Sequence, residues 1–151
     1  MDVRPGDFAD PQVIALLDLH FREMHATSPA GKAFALDLTA LQTLDITFLT
    51  LWQGDKLLGC GALKQLSVSH AEIKSMRTHT DHLRKGVAAR LLAEFMAIAL
   101  QRGYTRLSLE TGRGAAFAAA IALYERFGFV SGDKFADYEP SDFNQFFHLD
   151  L

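Results

Sequence analysis

Met76-Arg77-Thr78-His79-Thr80-Asp81-His82-Leu83-Arg84-Lys85-Gly86-Val87-Ala88 is the stretch on which the fold turns. An extended run from Glu72 to Thr78 ends inside it and a polar loop follows. From Arg84 to Arg102 the apolar residues Val87, Leu91, Leu92, Phe95, Ile98 and Ala99 then recur at the spacing of one helix face, and Gly103 is placed to stop that helix. A helix start leaves backbone N–H groups unpaired and carries a partial positive charge, so it attracts anions. Gly86 lets a ligand approach the backbone and Ala88 keeps the adjoining side small. Arg84 and Lys85 add charge suited to phosphate. The loop has neither the Lys-Ser/Thr pair of a P-loop nor the spaced glycines of a dinucleotide fingerprint, which excludes both of those nucleotide sites. Taken alone, it also reads as an ordinary helix start with solvated charges.

Downstream, Arg106 to Thr111 predicts a strand with Leu107 and Leu109 on one face and Ser108 and Glu110 on the other. Gly112 to Gly114 is a loop. The alanine-rich Ala115 to Phe127 predicts a helix ended by Gly128, and one or two closing strands follow, the last over Phe146 to Leu151. Upstream, Met1 to Arg4 is a short strand. Pro11 to about Ala26 is a helix with Val13, Leu16, Leu17 and Phe21 at helical spacing, and Ala35 to Leu41 is a second short one. Ile46 to Trp52 and Lys56 to Leu66 flank the turn pair Gly54-Asp55 and predict an antiparallel hairpin. A hairpin followed by strand–helix–strand requires one parallel pair in an otherwise antiparallel sheet, so the class is α/β or α+β with a mixed sheet.

The bulk properties narrow the function. A length of 151 residues points to one domain, and 49% apolar residues suffice for one buried core. A net charge of -3 with a pI near 6.0 argues against general nucleic-acid binding. The lone Cys60 rules out a disulfide framework and a thiolate metal cluster, and it reads as a buried, inert thiol. His79 and His82, and His20 and His25, lie outside any recognisable metal-ligand spacing, so no metal is expected. The N-terminus lacks the apolar core of a signal peptide, and no apolar run reaches the roughly 18 residues that span a membrane. The expected compartment is the cytoplasm.

Leu83-Arg84-Lys85-Gly86-Val87-Ala88 resembles the acetyl-CoA loop of the GNAT N-acetyltransferase superfamily, Gln/Arg-x-x-Gly-x-Gly/Ala. Gly86 and Ala88 match; Leu83 stands where the family carries Gln or Arg. One strand and one loop later, Ala120-Ile121-Ala122-Leu123-Tyr124-Glu125-Arg126-Phe127-Gly128-Phe129 is similar to the family's Ala-x-x-Leu-Tyr-x-x-x-Gly-Phe element, with Phe117 where an Asn is common. The resemblance is specific from about Glu72 to Phe129. It implies a mostly antiparallel central sheet flanked by helices, in which the parallel strand pair splays to admit acetyl-CoA as co-substrate.

The resemblance also implies roles. Met76 and Thr78 would pair with the pantetheine arm, backbone amides of Arg84, Lys85, Gly86, Val87 and Ala88 would hold the pyrophosphate, and Arg77 and Leu83 would also belong to the cofactor-binding set. Strand alternation places Glu72, Lys74, Met76 and Thr78 on one face. The N–H near Met76 would polarise the thioester carbonyl. Tyr124 would protonate the departing thiolate, since a phenol and a thiol lie close in acidity. Glu72 is the first candidate for general base and Glu110 the second. The expected partner is a primary amine on a small molecule or peptide, attacked directly in a ternary complex, with no nucleic acid and no membrane; a homodimer is open. Two other readings stand beside this one. The first is an acyl-CoA-binding module of the same fold without turnover. The second is an assembly role in which Phe143, Phe146 and Phe147 pair an edge strand with a partner.

Overall fold

The computed structural model describes residues 1–28 and 37–151. Among the described residues, seven strands form one sheet in the order β1-β2-β3-β4-β5-β7-β6. They are β1 (Asp2–Pro5), β2 (Ile46–Gln53), β3 (Lys56–Gln65), β4 (His70–Thr78), β5 (Arg106–Gly112), β6 (Val130–Gly132) and β7 (Asn144–Asp150). Every neighbouring pair is antiparallel except β4–β5. The helices are α1 (Pro11–Thr27), α2 (Val87–Gln101) and α3 (Ala118–Arg126), the last preceded by a 3-10 turn over Ala115–Phe117. The short helix expected over Ala35 to Leu41 falls partly outside the described residues; within them a 3-10 turn spans Ala40–Gln42.

Each helix forms for local reasons and buries one stripe. Asp10 caps α1 by accepting from the Gln12 N–H at 2.8 Å, and Pro11 occupies the first helical position. Val13, Leu16 and Leu17 then pack on Phe48, Trp52, Cys60 and Ala62 of β2 and β3. On the opposite face of the sheet, Val87, Leu91, Leu92, Phe95 and Ala99 of α2 pack on Leu63, Ala71, Ile73, Leu107 and Leu109. Phe135 and Tyr138, in the connection before β7, cover Phe146 on the α1 side. Among the described residues, no helix is long and apolar enough to cross a membrane.

Two departures from regular geometry prepare the site. First, the parallel ladder between β4 and β5 is short, running only from His70↔Arg106 to Glu72↔Ser108. Beyond it β5 stays with β7 as far as Gly112, so among the described residues the β4 edge from Ile73 to Thr78 has no strand neighbour on that side. Second, the β3–β4 register shifts between Cys60 and Ala62, opposite Ser75, which sits at φ 54°. This is a bulge, and it inverts the alternation that follows.

That inversion corrects the expected face. Glu72 and Lys74 pair across with Lys64 and Ala62, and Arg77 pairs with Cys60, so these three share the α1 side. Met76 instead packs with the α2 cluster. A Cβ on Gly61 would lie 2.5 Å from Met76 Sδ and 2.8 Å from Phe95, so only glycine admits this crossing. Thr78 pairs with Gly59, whose own Cβ position is 2.6 Å from Val87 of α2.

Two further expectations are corrected. The amphipathic helix begins at Val87 rather than Arg84, because Arg84 and Gly86 take left-handed φ of 62° and 80° and keep the chain in a loop. Phe146 and Phe147 are buried, 5% and 4% exposed, and β6 pairs along β7. β7 is therefore an interior strand, and its aromatic residues serve the core rather than a partner's edge.

Candidate active site

A cavity of about 590 Å³ opens where β4 and β5 part. It extends from the start of α2, past α3, to α1 and the β6–β7 connection. Tyr124, Glu72 and Glu110 all line it, as do Met76, Arg77, Thr78, Leu83, Arg84, Gly86, Val87 and Ala88. Among the expected cofactor-side residues, Lys85 alone is turned elsewhere; it donates to His82 Nδ1 at 3.1 Å.

The α2 end of the cavity is built for an anion. Gly86 is the N-cap residue, no side chain caps the helix, and its first turn carries no acidic residue. The helix ladder starts with the Arg90 N–H bonded to the Gly86 carbonyl at 3.0 Å. The amides of Val87, Ala88 and Ala89 are therefore left for a ligand, at the positive end of the helix. A non-glycine residue in the left-handed region costs on the order of 1–2 kcal/mol, so Arg84 holds strain that fixes the loop shape. The neighbouring β4 edge offers unpaired strand N–H and C=O groups, which suit an extended amide-bearing chain added as another strand.

The other end carries the ionisable groups. Burial pushes the Glu110 carboxyl up to about 7; Asn144 and the Lys74 charge pull against this, and the Glu72 charge adds to it. Glu110 is thus half-ionised near neutrality. Glu72 is only 2% exposed, which departs from a solvated glutamate at a strand start. Its Oε2 accepts from Lys74 Nζ at 3.3 Å and from the Tyr138 hydroxyl, and Lys74 also donates to Tyr138. Burial and the Glu72 charge push the Tyr138 phenol strongly upward, so it remains a donor. The Tyr124 phenol is pushed up to about 12 by burial, and its ring stands edge-on to Phe129 at 5.8 Å. No described residue bonds its hydroxyl, which keeps its proton at neutral pH and is free to give it to a group in the cavity.

Arg77 faces α1, away from the phosphate-suited loop. Its Nε donates to His20 Nδ1 at 3.0 Å and its Nη1 to Glu23 at 2.5 Å. His20 is 7% exposed, and burial followed by the Arg77 charge lowers its pKa to about 4. Cys60 is fully buried, its thiol is pushed up to about 12, and it donates to the Ser75 carbonyl at 3.7 Å, as an inert core thiol does. Among the described residues, no group of three or more His, Cys, Asp or Glu side chains is close enough to hold a metal ion.

The sequence reading missed Tyr138, Asn144 and the His20–Arg77 pair. Tyr138 and Asn144 lie in or beside an irregular connection and carry no local signal. His20 did carry one: it recurs with Leu16 and Leu17 at helical spacing, a polar residue on an apolar stripe.

The acetyltransferase (GNAT) family model matches residues 13–129, and the chain belongs to that family, whose enzymes use acetyl-CoA as co-substrate. It is 49% identical over 138 residues to the uncharacterized N-acetyltransferase YsnE of Bacillus subtilis (strain 168), covering 91% of each chain. It is 40% identical to the uncharacterized N-acetyltransferase YedL of Escherichia coli (strain K12), covering 99% of this chain and 94% of that one. A crystal structure from Klebsiella pneumoniae assigned as an acyl-CoA N-acyltransferase superposes with TM-score 0.82 at 28% identity, over 99% and 97% of the two chains. A GNAT family acetyltransferase from Elizabethkingia anophelis with acetyl-CoA bound shares the fold, with TM-score 0.73 at 16% identity over 99% and 97% of the chains.

Proposed function

We propose that this chain acts as a single N-acetyltransferase domain that moves an acetyl group from acetyl-CoA to a primary amine of a small molecule or peptide, in one ternary complex. The observation that carries the proposal is convergence. The open β4 edge, the uncapped α2 start, a carboxyl poised near neutrality and an unbonded phenol line one cavity.

The roles follow from the chemistry of each group. Amides at the start of α2 hold the pyrophosphate of the co-substrate, and the β4 edge aligns its pantetheine arm. Glu110 accepts the proton that the acceptor ammonium must lose before its nitrogen can attack the thioester carbon. Glu72 is the alternative acceptor, but its carboxylate is already held by Lys74 and Tyr138. Main-chain N–H groups at the Ser75–Met76 bulge stabilise the oxygen that becomes negative when the C–N bond forms. The C–S bond then breaks, and Tyr124 gives its proton to the departing thiolate. No enzyme nucleophile is used, in keeping with the inert Cys60.

Calorimetry with acetyl-CoA, followed by a thiol-release assay against a broad amine panel, tests the proposal. Absence of binding at millimolar acetyl-CoA would refute it.

A further inference from the structure

Resting on the acetyltransferase reading, we infer that the acceptor is an amine that also carries a carboxylate, an amino-acid-type substrate whose carboxylate is held by Arg77 and His20. Hydrogen-bonding capacity left unused in the cavity wall is what points there.

A guanidinium can only donate. Because Arg77 Nε donates to His20 Nδ1 at 3.0 Å, that nitrogen must present a lone pair. The imidazole is then neutral, and its proton sits on Nε2. No described residue accepts from Nε2, although His20 is 7% exposed and lines the cavity. Arg77 Nη2 is in the same position. Its Nε and Nη1 are engaged by His20 and Glu23, and no described residue accepts from Nη2. Neither donor is sealed in the core; both side chains border the cavity, so two adjacent donors without a protein acceptor face the space an acceptor group from outside the chain can enter.

The charges around them define that group. Lys74 and Glu72 neutralise one another, with Tyr138 across both, so neither is available to the acceptor and Glu72 does not repel a second anion. Arg77 is shared with Glu23, whose side chain is 44% exposed and screened by solvent. The remaining positive character suits a monoanion. A doubly charged phosphate would need a second cation, and Lys74 is committed. A carboxylate also brings two acceptor oxygens, one for Arg77 Nη2 and one for His20 Nε2. The proton-accepting Glu110 lines the same cavity from β5 and takes the amine end. The two ends therefore ask for opposite charges on one ligand.

The test compares free amino acids with their amides and with the matching decarboxylated amines. All are assayed with acetyl-CoA, and rates are expressed as kcat/KM per unprotonated amine. The free acids should be favoured by roughly 10- to 100-fold, the worth of one or two charged hydrogen bonds. The gain should lie mainly in KM, because the carboxylate is held equally before and during the reaction. Arg77→Gln should bring the ratio near unity, and His20→Phe should lower it by about tenfold. If Arg77→Gln does not fold, the wild-type panel and His20→Phe decide. Equal or better turnover of amides and decarboxylated amines overturns this inference and leaves the acetyltransferase reading intact. If no amine is turned over, that reading fails instead, and calorimetry of the same ligands with coenzyme A decides the binding claim. Selective affinity for the acids then sustains the inference, and equal affinity overturns it.

Discussion

Replacing Glu110 by Gln is the sharpest test of the catalytic arrangement, because its effect can be worked out before it is measured. The carboxyl titrates at about 7, with burial the largest cause of the rise. One pH unit below that value about a tenth of the molecules carry the base form, and one unit above, about nine-tenths do. For the wild-type chain, log(kcat/KM) should therefore rise with unit slope through acid pH, bend near pH 7, and gain about tenfold across two units. A separate fall at alkaline pH belongs to the acceptor's own ammonium. Glu110→Gln removes the proton acceptor while keeping the side chain's volume. It should flatten the limb near pH 7 and lower kcat/KM on the plateau by about 10²–10⁴-fold, with acetyl-CoA affinity unchanged. The same substitution should change stability in the opposite sense. The folded-state pKa lies above the usual 4.5, so the folded chain binds more protons than the unfolded chain between the two values. The stability tied to this group is whole below 4.5 and is lost as pH rises through about 7. Glu110→Gln should thus melt at a higher temperature than the wild type at alkaline pH and about level with it in acid. Stopped-flow or plate-based thiol release across pH, with calorimetric melts in the same buffers, reads both effects. A variant that keeps the limb near pH 7 at wild-type rates would refute the assignment, and Glu72→Gln abolishing the limb instead would transfer it.

Other perturbations probe the remaining parts. Tyr124→Phe should depress turnover while calorimetry finds acetyl-CoA affinity largely intact; equal loss of both would make Tyr124 a packing residue. Gly86→Val should weaken acetyl-CoA binding and cost on the order of 1–2 kcal/mol in denaturant melts. The reason is that φ is 80° there while nothing lies within 4 Å of the added Cβ, so the cost is conformational. Lys74→Met should move the acid limb above pH 7, since the Lys74 charge holds the Glu110 value down, and should destabilise by about 3–5 kcal/mol by leaving Glu72 buried without its cation. An unmoved limb in a folded Lys74→Met would sever the electrostatic link between β4 and β5.

What could be read from the chain was what is local. The α2 stripe, the alternation of β5, the turn pair at Gly54-Asp55 and the two glycine-bearing motifs each depend on residues a few positions apart, and each appears where it was expected. Two of the site's polar contacts are not local. Tyr138 meets Glu72 across 66 positions, and Arg77 meets His20 across 57. No period or motif announces a contact of that kind, which depends on how the sheet is ordered and on where an irregular connection folds back.

The bulge at Ser75 shows how a local pattern can be read correctly and still mislead. Nothing in Glu72-Ile73-Lys74-Ser75-Met76-Arg77 disturbs the alternation, and the cause lies on another strand, at Gly61. Because Gly61 has no side chain, Met76 can cross over it to reach Phe95, and β4 takes up one residue more than β3. Without the bulge, Arg77 would point toward α2 and Met76 toward α1. His20 would then meet an apolar sulfur instead of a cation, its tautomer would be unset, and the α1 end of the cavity would lose its positive charge. In the proposed arrangement, one irregular residue thus decides which side chain faces the acceptor. It also frees main-chain groups of β4 from the β3 ladder, the groups proposed above to stabilise the thioester oxygen. If both proposed roles hold, the same distortion serves both substrates, and its removal should impair acceptor selectivity and oxyanion stabilisation together. A Gly61→Ala chain, whose new Cβ would press on Met76 and Phe95, should lose both in proportion.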